Sequence, residues 1–181
     1  MSRRRRATII APSLVLVNTG DGKGKSTAAF GVMLRALARG WRVAVIQFIK
    51  SDRWKVGEEK IAVQLGVDWL KGGDGFTWES PDLDQSRGRA VAAWELAAAA
   101  IAAGEHKLVV LDEVTYPINY GWIDGADVAE AIRTRPDHVS IVATGRRAPQ
   151  ALVDVADTVT EMVKVRHAYD RGVRARRGID Y

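Results

Sequence analysis

The sequence predicts an α/β fold, a mostly parallel sheet with helices on both faces. Three observations predict it. Short apolar runs alternate along the chain with stretches whose apolar residues recur at helical spacing. The apolar runs are continuous, as in strands covered on both faces. A glycine-rich turn joins the first run to the first helical stretch. The 181 residues suit one compact domain.

In chain order, residues 13–18 read as a buried strand, with Leu14, Val15, Leu16 and Val17 in succession. Residues 25–39 read as a helix, with Phe30, Met33, Leu34 and Leu37 on one side and Gly40 as its stop. A strand follows over 42–48, a short helix over 58–65 and a strand over 67–70. Gly72, Gly73 and Gly75 mark a loop. A long helix covers 82–103 and stops at Gly104. The remainder alternates strand 107–111, helix 127–133, strand 138–143, helix 148–155 and strand 158–163. The expected organisation is a basic arm over 1–12, disordered or partly ordered, and a single domain over 13–181. Ligands of such folds bind at the carboxyl ends of the strands. The loops after Asn18, Phe48, Leu111 and Ala143 are therefore the places to look.

Composition narrows the chemistry. There is no cysteine, which excludes disulfides, a thiol nucleophile and a cysteine-based zinc site. His106, His138 and His167 do not fall at metal-ligand spacing. The longest unbroken apolar run, over 96–103, is far short of the ~20 residues a spanning helix needs. No apolar signal core follows Arg3–Arg6, so a cytoplasmic protein without a membrane partner is expected. Net charge is +5, and four of the basic residues are that arginine run. A second basic cluster, Lys164, Arg166, Arg171, Arg174, Arg176 and Arg177, would attract a polyanion such as triphosphate.

The first loop reads Thr19-Gly20-Asp21-Gly22-Lys23-Gly24-Lys25-Ser26-Thr27, between a strand and a helix. That is the context of a phosphate-binding loop. Its glycines let successive amides turn inward, and with the helix N-terminus these cradle phosphate oxygens. Lys25 can reach terminal phosphates and the Ser26 hydroxyl can ligate magnesium or manganese. The first glycine of the usual spacing is replaced by Thr19. Residues 108–113, Leu-Val-Val-Leu-Asp-Glu, form an apolar strand ending in two carboxylates. At the end of a strand neighbouring the first, Asp112 and Glu113 would face the loop and hold the metal. Sequence alone leaves open which is nearer. Together these motifs point to a phosphate-loop nucleotide-binding, RecA-like fold that holds a nucleotide triphosphate, but do not name the reaction.

The wider wording is more specific. Residues 20–31 closely resemble the loop of the ATP:corrinoid adenosyltransferases of the bacterial cobalamin pathway. Residues 45–50, 75–79 and 110–116 resemble that family's second strand, mid-chain loop and acidic strand end. Arg135-Pro136, Thr144-Gly145-Arg146 and the tail over 165–181 recur in the right order, so the resemblance runs from about Leu14 to the last residue. Two loop positions depart from it: Asp21 stands where Asn is frequent, and Ser26 where Thr is usual. A carboxylate near phosphates repels unless it points away or meets metal.

The resemblance implies transfer of the 5′-deoxyadenosyl group of ATP to Co(I) of a reduced corrinoid, cobalamin or cobyrinic acid a,c-diamide, with release of triphosphate. It implies Lys25, Arg35 and Arg146 as the charges that stabilise the departing triphosphate. It implies Phe76 and Trp78 as the rings set against one corrin face; side chains two apart on an extended loop project to the same side. It also implies a homodimer and an external reductant such as a flavoprotein. The alternatives are a generic phosphate-loop NTPase or small-molecule kinase, and a nucleic-acid-binding ATPase. The last suits the basic balance, but most of that excess lies in Arg3–Arg6, so nucleic acid is not expected as a partner.

Overall fold

The computed structural model describes residues 9–48, 57–71 and 83–180. Its centre is a six-stranded sheet in the order β3-β2-β4-β5-β1-β6, and every pairing is parallel. The strands are β1 (Val15–Thr19), β2 (Val43–Gln47), β3 (Asp68–Lys71), β4 (Leu108–Asp112), β5 (Ser140–Thr144) and β6 (Thr158–Glu161). The helices are α1 (Lys25–Leu37), α2 (Gly57–Gln64), α3 (Leu83–Ala103), α4 (Thr115–Asn119), α5 (Gly125–Arg133) and α6 (Gln150–Asp154), with a 3-10 helix at Ala168–Arg171.

Burial explains the continuous apolar runs. Every residue of β2, β4 and β5 is buried, because these strands are central and covered on both faces. Alternation along each strand divides the core in two. Ala44, Ile46, Val109, Leu111, Ile141 and Ala143 face one side with Ala93, Ala97 and Ile101 of α3, Val128 and Ile132 of α5, and Leu152 of α6. Val43, Val45, Leu108, Val110 and Val142 face the other, with Ala29, Phe30, Met33 and Ala36 of α1. Those α1 residues recur at helical spacing, so one stripe of the helix is buried. Helices thus cover both faces, as the sequence predicts.

Three features differ from the sequence expectation. The acidic strand β4 is not beside β1: β5 lies between them. The loop and the carboxylates are therefore linked through the end of β5. Helix α4 was not expected; Pro117 sits at its third residue, a first-turn position where the missing N–H breaks no helical bond. The last strand ends at Glu161, shorter than the 158–163 expected, and all four of its residues are exposed, as suits an edge. Among the described residues, no helix is long and apolar enough to cross a membrane.

Candidate functional site

The phosphate loop leaves β1 at Thr19 and enters α1 at Lys25. It is pressed against the chain leaving β6. The Gly22 amide donates to the Met162 carbonyl at 2.6 Å, and the Met162 amide donates to the Thr19 carbonyl at 2.8 Å. A Cβ on Gly20 or Gly22 would come within 2.5 or 2.6 Å of the Met162 oxygen. Gly20 and Gly24 also have φ of 93° and 116°, which favour glycine. The glycines therefore answer two demands, a left-handed turn and close backbone approach.

Lys25 is buried and its Nζ donates to the Gly22 carbonyl at 2.7 Å, so the side chain folds back over its own loop. Burial lowers its pKa, and the nearby charge of Glu113 opposes that shift. Asn18 Nδ2 donates to the Lys25 carbonyl at 3.3 Å, fixing the start of the helix. Asp21, Lys23 and Thr27 are exposed. The Asp21 carboxylate lies 3.7 Å from the Arg146 guanidinium, a cation that offsets its charge. Lys23 is paired at 2.6 Å with Asp180 of the tail, which also accepts from the Arg176 amide at 2.8 Å.

The acidic strand end holds two carboxylates in contrasting states. Asp112, 2% exposed, accepts from Thr144 Oγ1 at 2.8 Å and Gln47 Nε2 at 3.3 Å, and Ser26 also bonds it. Burial pushes its pKa up, and these three donors oppose the shift. Glu113 follows with φ of 61°, a left-handed conformation that costs a non-glycine residue about 1–3 kcal/mol. Its amide donates to Thr144 Oγ1 at 2.9 Å, so one hydroxyl serves both acidic residues. Glu113 Oε2 is buried and has no hydrogen-bond partner among the described residues. Burial, with the Asp112 charge adding to it, pushes the Glu113 carboxyl to about 7, while Lys25 and Arg146 pull the other way.

An orphaned buried carboxylate oxygen beside a hydroxyl and a second carboxylate fits a hard divalent cation. Among the described residues no group of three or more His, Cys, Asp or Glu gathers at one point.

Arg146 follows Gly145 at the end of β5. Gly145 has φ of 141° and Arg147 φ of 51°, so the segment makes a sharp reversal. The Gly145 amide donates to the Asn18 carbonyl at 3.2 Å and the Ala148 amide to Thr19 Oγ1 at 3.0 Å. These bonds tie the Arg146 loop to the start of the phosphate loop.

Of the residues singled out from sequence, the fold brings together 19–26, Asp112, Glu113 and Arg146 around the ends of β1, β4 and β5. It does not bring Arg35 to them. Arg35 is exposed in the last turn of α1, and ten residues of helix place its backbone about 15 Å beyond Lys25. Phe76, Trp78, Lys50, Arg3–Arg6 and Tyr181 lie outside the described residues. His167 caps the 3-10 helix, its Nδ1 accepting from the Tyr169 amide at 3.1 Å. Sequence reasoning missed Thr144 and Gln47 as partners of Asp112, although both stood in the family-like segments; only the strand order brings the three together. It also missed Met162, which no local pattern marks.

Known proteins extend this picture beyond the loop and its neighbours. The sequence pattern of the ATP:corrinoid adenosyltransferase BtuR/CobO/CobP family matches residues 12–181. Corrinoid adenosyltransferase CobA of Salmonella typhimurium is 40% identical over 168 residues, 93% of this chain and 85% of the relative. The corrinoid adenosyltransferase of Escherichia coli is 38% identical over the same shares of the two chains. That of Pseudomonas aeruginosa is 40% identical over 170 residues, 93% of this chain and 83% of the relative. A match that starts before β1 and runs through the tail goes far beyond a shared phosphate loop: the chain belongs to the ATP:corrinoid adenosyltransferase family.

Proposed function

We propose that the chain transfers the 5′-deoxyadenosyl group of ATP to Co(I) of a corrinoid and releases triphosphate. The observation that carries this reading is the family match over residues 12–181. The buried Lys25 opposite Asp112 and Glu113 supports it with a site suited to a triphosphate. The chain is a transferase, and ATP and a corrinoid are the substrates its family implies.

Electron demand dictates the roles. The Co(I) electron pair attacks the 5′ carbon; a cobalt–carbon bond forms as the carbon–oxygen bond to the triphosphate breaks. Cobalt becomes Co(III), and the bonding electrons leave with the triphosphate. Charge therefore builds on the leaving group, where preorganised donors count most. In this reading Lys25 exchanges the Gly22 carbonyl for a phosphate oxygen, and the amides of residues 20–25 cradle the rest. Arg146 adds its guanidinium when it leaves Asp21. Ser26 and Glu113 would hold magnesium or manganese, with Asp112 orienting Ser26; Glu113 is assigned as the carboxylate facing the ion because its Oε2 has no other partner among the described residues. Such an ion would supply further neutralisation of the triphosphate when bound. Arg35, about 15 Å along α1, would meet only a part of the nucleotide far from Lys25 and is assigned the smaller share.

The family resemblance also supports Phe76 and Trp78 as rings against the corrin, an external reductant such as a flavoprotein, a homodimer and a cytoplasmic location. The test is an oxygen-free assay with chemically reduced cob(I)alamin, magnesium and ATP. Loss of the Co(I) absorbance with a light-sensitive product supports the reading. No reaction with cobalamin or with precursor corrinoids, in protein shown to bind ATP, overturns it.

A further inference from the structure

We infer that Thr115 and Asn119 are positioning residues that hold Arg146 over the phosphate loop by gripping its backbone from α4. The inference rests on the role proposed above for Arg146. Thr115 and Asn119 are four residues apart, so they share one face of α4. Thr115 Oγ1 donates to the Arg146 carbonyl at 2.7 Å. Asn119 Nδ2 donates to the same carbonyl at 3.1 Å and to the Arg147 carbonyl at 3.3 Å. Those carbonyls only accept, so the amide nitrogen of Asn119 is the atom that faces them.

The segment they hold is not one the chain would adopt unaided. Arg147 is left-handed at φ 51°, a conformation that non-glycine residues keep only when their surroundings enforce it. Gly145 packs so closely on Thr115 that a Cβ there would lie 2.0 Å from Thr115 Oγ1. On the other side, Asn18 and Thr19 of β1 accept from the Gly145 and Ala148 amides. The reversal over 145–148 is thus clamped between β1 and α4. The clamp leaves the Arg146 side chain about half exposed and directed toward Asp21 of the phosphate loop. Helix α4 itself starts directly after Glu113 and Val114, so one connection carries both the acidic end and the grip on the arginine. Thr115 is fully buried, whereas Asn119 is exposed. A role for Asn119 in core packing therefore does not explain its bonds.

Asn119→Ala, Thr115→Val and Thr115→Ser are compared with Arg146→Ala, alone and in double variants, by adenosyl transfer to cob(I)alamin, with the fold of each checked by circular dichroism and thermal melting. Arg146→Ala is expected to lower kcat/KM about a hundredfold, the scale for losing one preorganised charge donor. Asn119→Ala is expected to lower it roughly tenfold, within the range that a misplaced group costs. In the Arg146→Ala background Asn119→Ala should add less than about twofold, because residues acting through one another are not additive. Thr115→Ser should retain activity that Thr115→Val loses. An Asn119→Ala protein as active as the parent, or a tenfold loss that persists in full without Arg146, overturns the inference. If Arg146→Ala itself is unimpaired, the reading of Arg146 fails first and takes this inference with it. Should Thr115→Val melt early, the exposed Asn119 still decides the matter.

Discussion

The ends of β4 and β5 and the C-terminal tail both approach the phosphate loop, but they are held in opposite ways. At the strand ends Asp112, Thr115 and Thr144 are buried, and each is hydrogen-bonded to a partner on another element. In the tail, every described residue from 168 to 180 is exposed, and the visible ties are surface ion pairs such as Lys23–Asp180 and Lys164–Asp170. Buried bonds are costly to leave unmade, whereas exposed pairs contribute little. One side of the loop is therefore preformed. The other is lightly fastened, through a lysine that a triphosphate would compete for.

Breaking the preformed side should have the largest effects. Lys25→Ala should lower adenosyl transfer by about a thousandfold or more, the upper scale for a lost donor to a developing charge. Steady-state kinetics with cob(I)alamin would check it. Glu113→Gln should abolish most of the dependence of activity on magnesium. It should also change stability with pH. The folded-state pKa of Glu113, about 7, lies above the unfolded value near 4.5. Between those values the folded protein binds more protons than the unfolded chain, so this group makes stability fall as pH rises. The glutamine variant should then melt above the parent at pH 8, with the gap closing toward pH 4.5. Thermal melts across that range would test the sign. In the parent, apparent magnesium affinity should fall as pH drops below about 7, because protonation removes the ligand charge.

Smaller effects come next. Thr144→Val removes a donor to buried Asp112 and the acceptor for the Glu113 amide, and should cost about 1–3 kcal/mol in chemical denaturation. On the lightly fastened side, Asp180→Asn should leave the melting temperature unchanged. By freeing Lys23 it should tighten triphosphate binding about twofold, an effect that salt should erase. A large stability loss from Asp180→Asn would mean that the tail belongs to the preformed half.

Much of this was legible in the sequence. Burial on both faces forces continuous apolar strands, so β2, β4 and β5 announced themselves. The loop and the two carboxylates are local motifs and were equally visible. What stayed hidden depends on strand order and distant return of the chain. Nothing near Asp112 says that β5 lies beside it and supplies Thr144, nor that Met162 will press on Gly20 and Gly22. Asp21 read as a carboxylate in conflict with phosphate, and only the fold shows Arg146 beside it. Helix α4 was hidden by Pro117, which reads as a breaker unless the helix start is known. Arg35 shows the converse: its role came from resemblance alone, and its place on α1 separates it from the loop.

The central claim is that this phosphate loop holds a leaving group rather than a phosphoryl donor. Phosphorus NMR of the reaction with cob(I)alamin, magnesium and ATP tests it most directly. Intact triphosphate released one-for-one with adenosylated corrinoid is the predicted result. ADP with inorganic phosphate, formed at the same rate with or without the corrinoid, would contradict it.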